Sequence, residues 1–188
     1  MLERLSEKFA GKLISTGIIS ETDAEIYVYG FFQTVMLVLN VATTLFLGII
    51  FQMIIPCILL NLAYIPIRIS AGGHHADSPV KCYINSTFMI AVLLAIIKWI
   101  PVHHVVSIIL LVVSSVVIWI LAPVETENNP LDEVEVCVYR RRTKIVLAIE
   151  LAVICLCFIT AKYQMAVTII LGLFTESIML LIGSIKNH

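Results

Sequence analysis

RISAGGHHADSPVKCYINS, residues 68–86, separates two apolar runs and gathers polar, glycine and proline residues around a histidine pair and a cysteine. Polar and ionisable side chains are costly inside lipid and tend to mark functional positions. The stretch therefore reads as a turn between membrane helices that carries chemistry. Outward from it, 60% of the 188 residues are hydrophobic, 13% are charged and the mean hydropathy is +1.03, far from the composition of a soluble globular domain. The chain is expected to be an all-α, polytopic integral membrane protein whose surroundings are a lipid bilayer. A net charge of −1 gives no basis for nucleic-acid binding.

A membrane span needs about 20 residues, with shorter ones tolerated by bilayer thinning. Six runs meet or approach this: Tyr29 to Ile49, Met53 to Ile69, Val80 to Ile100, Val105 to Leu121, Ile145 to Ala161 and Met165 to Gly183. The first two are divided only around Gln52 and Pro56, so four full spans with a re-entrant first pair is the competing parse. Ahead of them, over residues 1–16, Leu2, Leu5, Phe9 and Leu13 recur at helical spacing among charged residues. This predicts an amphipathic helix, lying either at the membrane interface or on the protein itself. The start lacks the features of a cleaved secretory signal. One membrane-embedded domain over 1–188 is expected, with the bundle at 29–183.

The basic residues give an orientation. With six spans, Arg4, Lys8, Lys12, Arg68, Lys81, Arg140, Arg141, Arg142, Lys144 and Lys186 fall on one side, ten in all, against Lys98 and Lys162, two, on the other. Positive charge stays inside, so both termini and the 68–86 stretch are expected on the cytoplasmic face of a cell membrane. Glu150 and Glu176 fall in the cytoplasmic leaflet of their spans and are expected to turn inward and find partners. Asn61, Asn85, Ser86 and Thr87 suit hydrogen bonding from helix to helix. Cys57, Cys155 and Cys157 lie in apolar runs and read as small buried hydrophobes, and Cys137 has no recognisable partner.

Cys82 is the cysteine with chemical company. A thiol nucleophile needs a histidine to take its proton and donors for an oxyanion. His74 and His75 are both candidates. In one continuous helix His75 would share a face with Cys82, but seven residues amount to about 10.5 Å along the axis, beyond hydrogen-bond reach. The segment must bend. Gly72 and Gly73 permit unusual backbone conformations, and Pro79 disfavours helix at Ser78. Ser78 then reads as an N-cap with Pro79 at the first helical position, and Cys82 falls near the helix's positive end beside Lys81, a place that favours thiolate. A metal is not expected, because adjacent histidines project in different directions and Asp77 with Cys82 is an unusual ligand set. No cofactor is implied. His103 and His104 lie at the opposite face. The bland reading of the whole stretch is a polar loop whose cysteine is incidental.

The run Arg68, Ala71-Gly72-Gly73, His75-Ala76 and Cys82 resembles the signature of AgrB, the accessory gene regulator B peptidases of Gram-positive bacteria. Residues 122–130, APVETENNP, are similar to the family's second loop and precede a basic cluster at Arg140 to Lys144. The resemblance implies His75 and Cys82 as the catalytic pair and selects His75 over His74. It implies an AgrD-like quorum-sensing propeptide as substrate, cut at the cytoplasmic face to release its C-terminal tail. A thioester on Cys82 would then be attacked from within the propeptide to give a thiolactone or lactone, and a homodimer is a further expectation of the family.

One departure is Glu127, Asn128 and Asn129 before Pro130, where the family is often basic. That leaves Arg140, Arg141, Arg142 and Lys144 to attract an acidic tail, unless they serve only as a topology signal. No third catalytic member is evident: Glu150 or Glu176 could serve if packing brings one near, and Arg68 would pair with a buried acid or a substrate carboxylate. The competing function is a non-enzymatic transporter or peptide-export module with a polar cytoplasmic loop.

Overall fold

The computed structural model describes residues 2–73, 79–125 and 131–186, so His74, His75, Asp77, Ser78 and the loop from Glu127 to Pro130 lie outside it. Among the described residues the chain is helical and has no strand. The helices are α1 (Leu2–Ser15), α2 (Ala24–Ile50), α3 (Ile54–Ala71), α4 (Pro79–Trp99), α5 (His104–Leu121), α6 (Glu133–Ile159) and α7 (Tyr163–Lys186), with a single 3-10 turn ahead of α2. The segments Glu21–Ile50, Ile54–Ala71, Val80–Trp99, His104–Leu121 and Tyr163–Lys186 are long and apolar enough to cross a membrane. Their outward faces carry large apolar side chains, among them Phe46, Leu62, Phe88 and Ile120. Lipid accepts such faces and water does not. The protein is a multi-pass, all-α membrane protein.

The sixth expected span, Ile145 to Ala161, falls on α6, which is not among these five and runs from Glu133 to Ile159 rather than starting near Ile145. The cause is a capping box: the Glu135 amide donates to the Asp132 carboxylate at 2.7 Å, and the Asp132 amide donates back to the Glu135 carboxylate at 3.1 Å. The basic residues at 140–144 therefore ride on a helix rather than in a loop.

Two compact units divide the chain, Met1–Thr43 and Thr44–His188. In the first, the Phe9 ring stacks on Phe31 with centroids 4.3 Å apart, while Leu5 is exposed. Part of the apolar stripe of α1 is thus spent on the protein's own surface.

The second unit is built around α7, which packs on α3, α4, α5 and α6. Close approach of α3 depends on Gly172, where a Cβ would stand 3.1 Å from the Ala63 Cβ. Two of the turns, between α2 and α3 and between α6 and α7, share one device. Gln52 and Ala161 adopt φ of 59° and 55°, and the amides after them, of Met53 and Lys162, donate back to Gly48 and Cys157 carbonyls at 2.7 and 2.8 Å. This is the Schellman closure of a helix end. It settles the Gln52 region as a turn between two full helices, α2 and α3.

Antiparallel alternation sorts the ends. At one lie Phe51, Lys98, Trp99, His104 and Tyr163, where Lys98 donates to the Phe51 carbonyl at 2.8 Å and His104 packs on Tyr163. At the other lie the end of α3, the start of α4 and the end of α5. Cys57 and Cys157 are buried as expected, but Cys155 is exposed, because α6 turns that position away from α7 toward the apolar exterior. Cys57 also donates to the Thr44 carbonyl at 2.9 Å, and Asn61 to the Cys57 carbonyl at 2.9 Å, so Asn61 ties α3 to α2.

Candidate active site

The helix α3 stops at Ala71, and the next two residues take conformations reserved for glycine: φ is +73° at Gly72 and +103° at Gly73. Space imposes the same requirement. A Cβ on Gly72 would collide with the Val124 carbonyl oxygen, and one on Gly73 would lie 2.6 Å from Arg68 Nη1 and 3.1 Å from the Met179 carbonyl oxygen. The bend inferred from the histidine-to-cysteine spacing therefore begins at the glycine pair.

Three elements hold that bend. Arg68 Nη1 donates to the Gly72 carbonyl at 2.7 Å. The same nitrogen stands 3.6 Å from Glu176 Oε1 of α7, with side-chain exposures of 14% and 0%. A buried carboxylate demands such a partner, since leaving one charge of a buried pair alone costs about 3–5 kcal/mol. From the far side, the Val124 amide donates to the Ala71 carbonyl at 2.8 Å and the Val124 carbonyl accepts from the Gly73 amide at 3.4 Å. The result is an isolated parallel bridge between Gly72 and Val124. Thus the loop after α5 is laid against the glycine turn.

Pro79 opens α4, as the sequence indicated, and Cys82 follows in the first turn, half-buried. Ser86 Oγ donates to the Cys82 carbonyl at 2.9 Å, so its hydroxyl bonds within its own helix. Lys81 is exposed beside it. His75 stands two residues beyond Gly73 in sequence, and it and Ser78 lie outside the described residues.

Two participants were invisible to sequence reasoning. Val124 acts through its backbone, which leaves no side-chain signal. Tyr64 lies one helical turn before Arg68 on α3, and its i, i+4 spacing to Arg68 was a clue left unread.

The other candidates are not drawn in. Glu150 turns inward on the α6 face with Leu147 and Ile154, but its carboxylate has no hydrogen-bond partner among the described residues. Its neighbours on that face, Leu147 and Ile154, pack into an apolar core with Ala63 and Ile67 of α3 and Ile170 and Leu173 of α7. Arg140, Arg141 and Arg142 are exposed, with Arg142 set 5.9 Å from the centre of the Tyr139 ring.

A bundle with apolar outer faces, holding a half-buried thiol at a helix start near a braced glycine turn, belongs to the class of multi-pass membrane proteins with a site at one end of the bundle. The sequence pattern described as Accessory gene regulator B matches residues 6–180, and the chain belongs to that family. Accessory gene regulator protein B from Staphylococcus aureus strains Newman, USA300 and COL is 32% identical over 121 residues, 64% of this chain and 62% of theirs. The match thus spans under two thirds of the length of these curated relatives. No solved structure matches the chain.

Proposed function

We propose that this protein is a membrane cysteine endopeptidase of the accessory gene regulator quorum-sensing system, acting on an AgrD-like propeptide at the cytoplasmic face. What supports the reading is the position of Cys82: a thiol in the first turn of α4, at the bundle end where Arg68, Gly72, Gly73 and Val124 brace the segment leading to His75. In a loop of incidental composition, bracing from two helices, α3 and α7, and a second loop has no evident purpose.

The chemistry follows from the residue types. His75 takes the Cys82 proton, and Sγ attacks the carbonyl carbon of the scissile bond. Negative charge developing on the carbonyl oxygen is favoured near the start of α4, where the helix presents its positive end. Collapse breaks the C–N bond, the proton held by His75 passes to the leaving amine, and the C-terminal tail departs. The remaining acyl group is a thioester on Cys82.

A thiol or hydroxyl within the propeptide then attacks that thioester. Its proton returns to the Cys82 and His75 pair as the C–S bond to Cys82 breaks, and a thiolactone or lactone leaves. A tethered nucleophile competes well with water, because intramolecular reactions reach effective concentrations of about 10⁵–10⁸ M. Lys81 and the exposed Arg140, Arg141 and Arg142 supply positive charge for an acidic tail.

The test is proteolysis of the propeptide by purified protein in vesicles. Cys82→Ala and His75→Ala should each abolish cleavage. Unchanged cleavage in either would overturn the assignment, and movement of uncleaved peptide across the vesicle would favour an export module.

A further inference from the structure

The helices α5 and α6 each pack on α7 but scarcely on one another. Between them runs a groove of about 320 Å³, lined by Val116, Trp119 and Ile120 of α5 and by Lys144, Leu147 and Leu151 of α6. Among the described residues, its one cationic lining residue is Lys144. The hydroxyl of Ser115, also at the groove, is turned back to the Leu111 carbonyl at 2.7 Å, so the walls stay apolar. Val116, Trp119 and Ile120 are exposed on an apolar helix long enough to span a membrane. Inside a bilayer such a gap is filled by hydrocarbon, since water there would find no partners.

The head of the groove has a distinct character. Lys144 Nζ stands 4.2 Å from the centre of the Trp119 ring. An ammonium group has three donors, and a ring face occupies one direction, which leaves donors for an anion. Arg140 lies one turn earlier in the same row of α6, followed down the row by Lys144, Ala148 and Leu151. Going along the groove, cationic groups give way to an aromatic ring and then to aliphatic walls. That order matches one phospholipid: an anionic headgroup, an interfacial region and an acyl chain.

We propose that the α5–α6 groove binds an anionic phospholipid, its headgroup on Lys144 and Arg140 and its acyl chain along Trp119, Val116 and Leu151. An acidic peptide would meet the charges but has no reason to fill the aliphatic floor.

The protein holds two tryptophans, so Trp99→Phe leaves Trp119 as the reporter. That variant, reconstituted in phosphatidylcholine vesicles, is titrated with brominated phosphatidylglycerol or brominated phosphatidylcholine at equal mole fraction. The anionic lipid should quench Trp119 at a mole fraction lower by about fivefold for each of the two cations, Lys144 and Arg140, that its headgroup engages. Lys144→Gln should remove about fivefold of the preference, whereas Arg142→Gln, on another row of α6, should leave it. Equal quenching by the two lipids overturns the proposal, as does equal loss in both variants, which would mark diffuse attraction. Protection of Trp119 by an acidic peptide in vesicles without anionic lipid would assign the groove to peptide instead.

Discussion

Gly72 and Val124 form a parallel bridge that joins the turn after α3 to the loop after α5. The two motifs that the sequence offered separately, around Ala71 and around Ala122, are thereby one construction. Its consequence is that the glycine turn has no room for change.

Gly72→Ala tests this against a built-in control. Gly17 has a nearly identical φ, +70° against +73°, yet a Cβ there meets nothing within 4 Å. Gly17→Ala should cost only the left-handed backbone penalty, about 1–2 kcal/mol. At Gly72 a ψ of −132° lies outside the left-handed helical region and is closed to alanine. A Cβ would also collide with the Val124 carbonyl, so Gly72→Ala should lower the unfolding temperature in detergent further and remove most propeptide cleavage. Equal behaviour of the two variants would show that the bridge does not constrain the turn.

Arg68 and Glu176 form a buried pair, and removing one member should be worse than removing both. Arg68→Ala leaves the Glu176 carboxylate buried and unpaired, a loss of about 3–5 kcal/mol. Arg68→Met with Glu176→Gln should recover most of that stability without restoring cleavage, because the contact to the Gly72 carbonyl stays lost. Thermal unfolding and cleavage, measured on the same preparations, separate the two effects.

Gly172 sets the distance between α7 and α3. Gly172→Leu forces a side chain into the position 3.1 Å from Ala63 and should destabilise by about 1–3 kcal/mol. Because α3 carries Arg68 and the glycine turn, cleavage should fall more than unfolding temperature alone accounts for. Ala63→Gly in the same chain should relieve part of the loss, measured by thermal unfolding.

Orientation is open to chemical labelling. Cys137 is exposed in the first half of α6, ahead of Arg140 to Lys144. The distribution of Lys and Arg predicts that a membrane-impermeant thiol reagent reaches Cys137 from the cytoplasmic side of inverted vesicles and not from intact cells. The opposite pattern would invert the topology.

Most of the fold was legible because apolar runs and their breaks follow from the cost of polar groups in lipid. The start of α6 was not, since the hydropathy of residues 133–144 resembles a loop; the Asp132 and Glu135 spacing was the signal that could have placed it. At the site, the bend at Gly72-Gly73 and the helix start at Pro79 could be read from local backbone chemistry. The choice of Glu176 over Glu150 as partner of Arg68 could not, since only the packing of α7 on α3 decides which acid arrives. The Gly72–Val124 pairing is made by backbone groups far apart in sequence, and no residue type announces it.

If Cys82 is the nucleophile, it carries an acyl group during turnover, and intact-mass analysis of the protein after brief incubation with propeptide detects it directly. A propeptide whose internal nucleophile is replaced by alanine should accumulate an adduct equal in mass to the peptide minus its C-terminal tail. That adduct should map to Cys82, be released by hydroxylamine, and be absent in Cys82→Ala. Cleavage without an adduct, or with an adduct that survives in Cys82→Ala, would contradict the account.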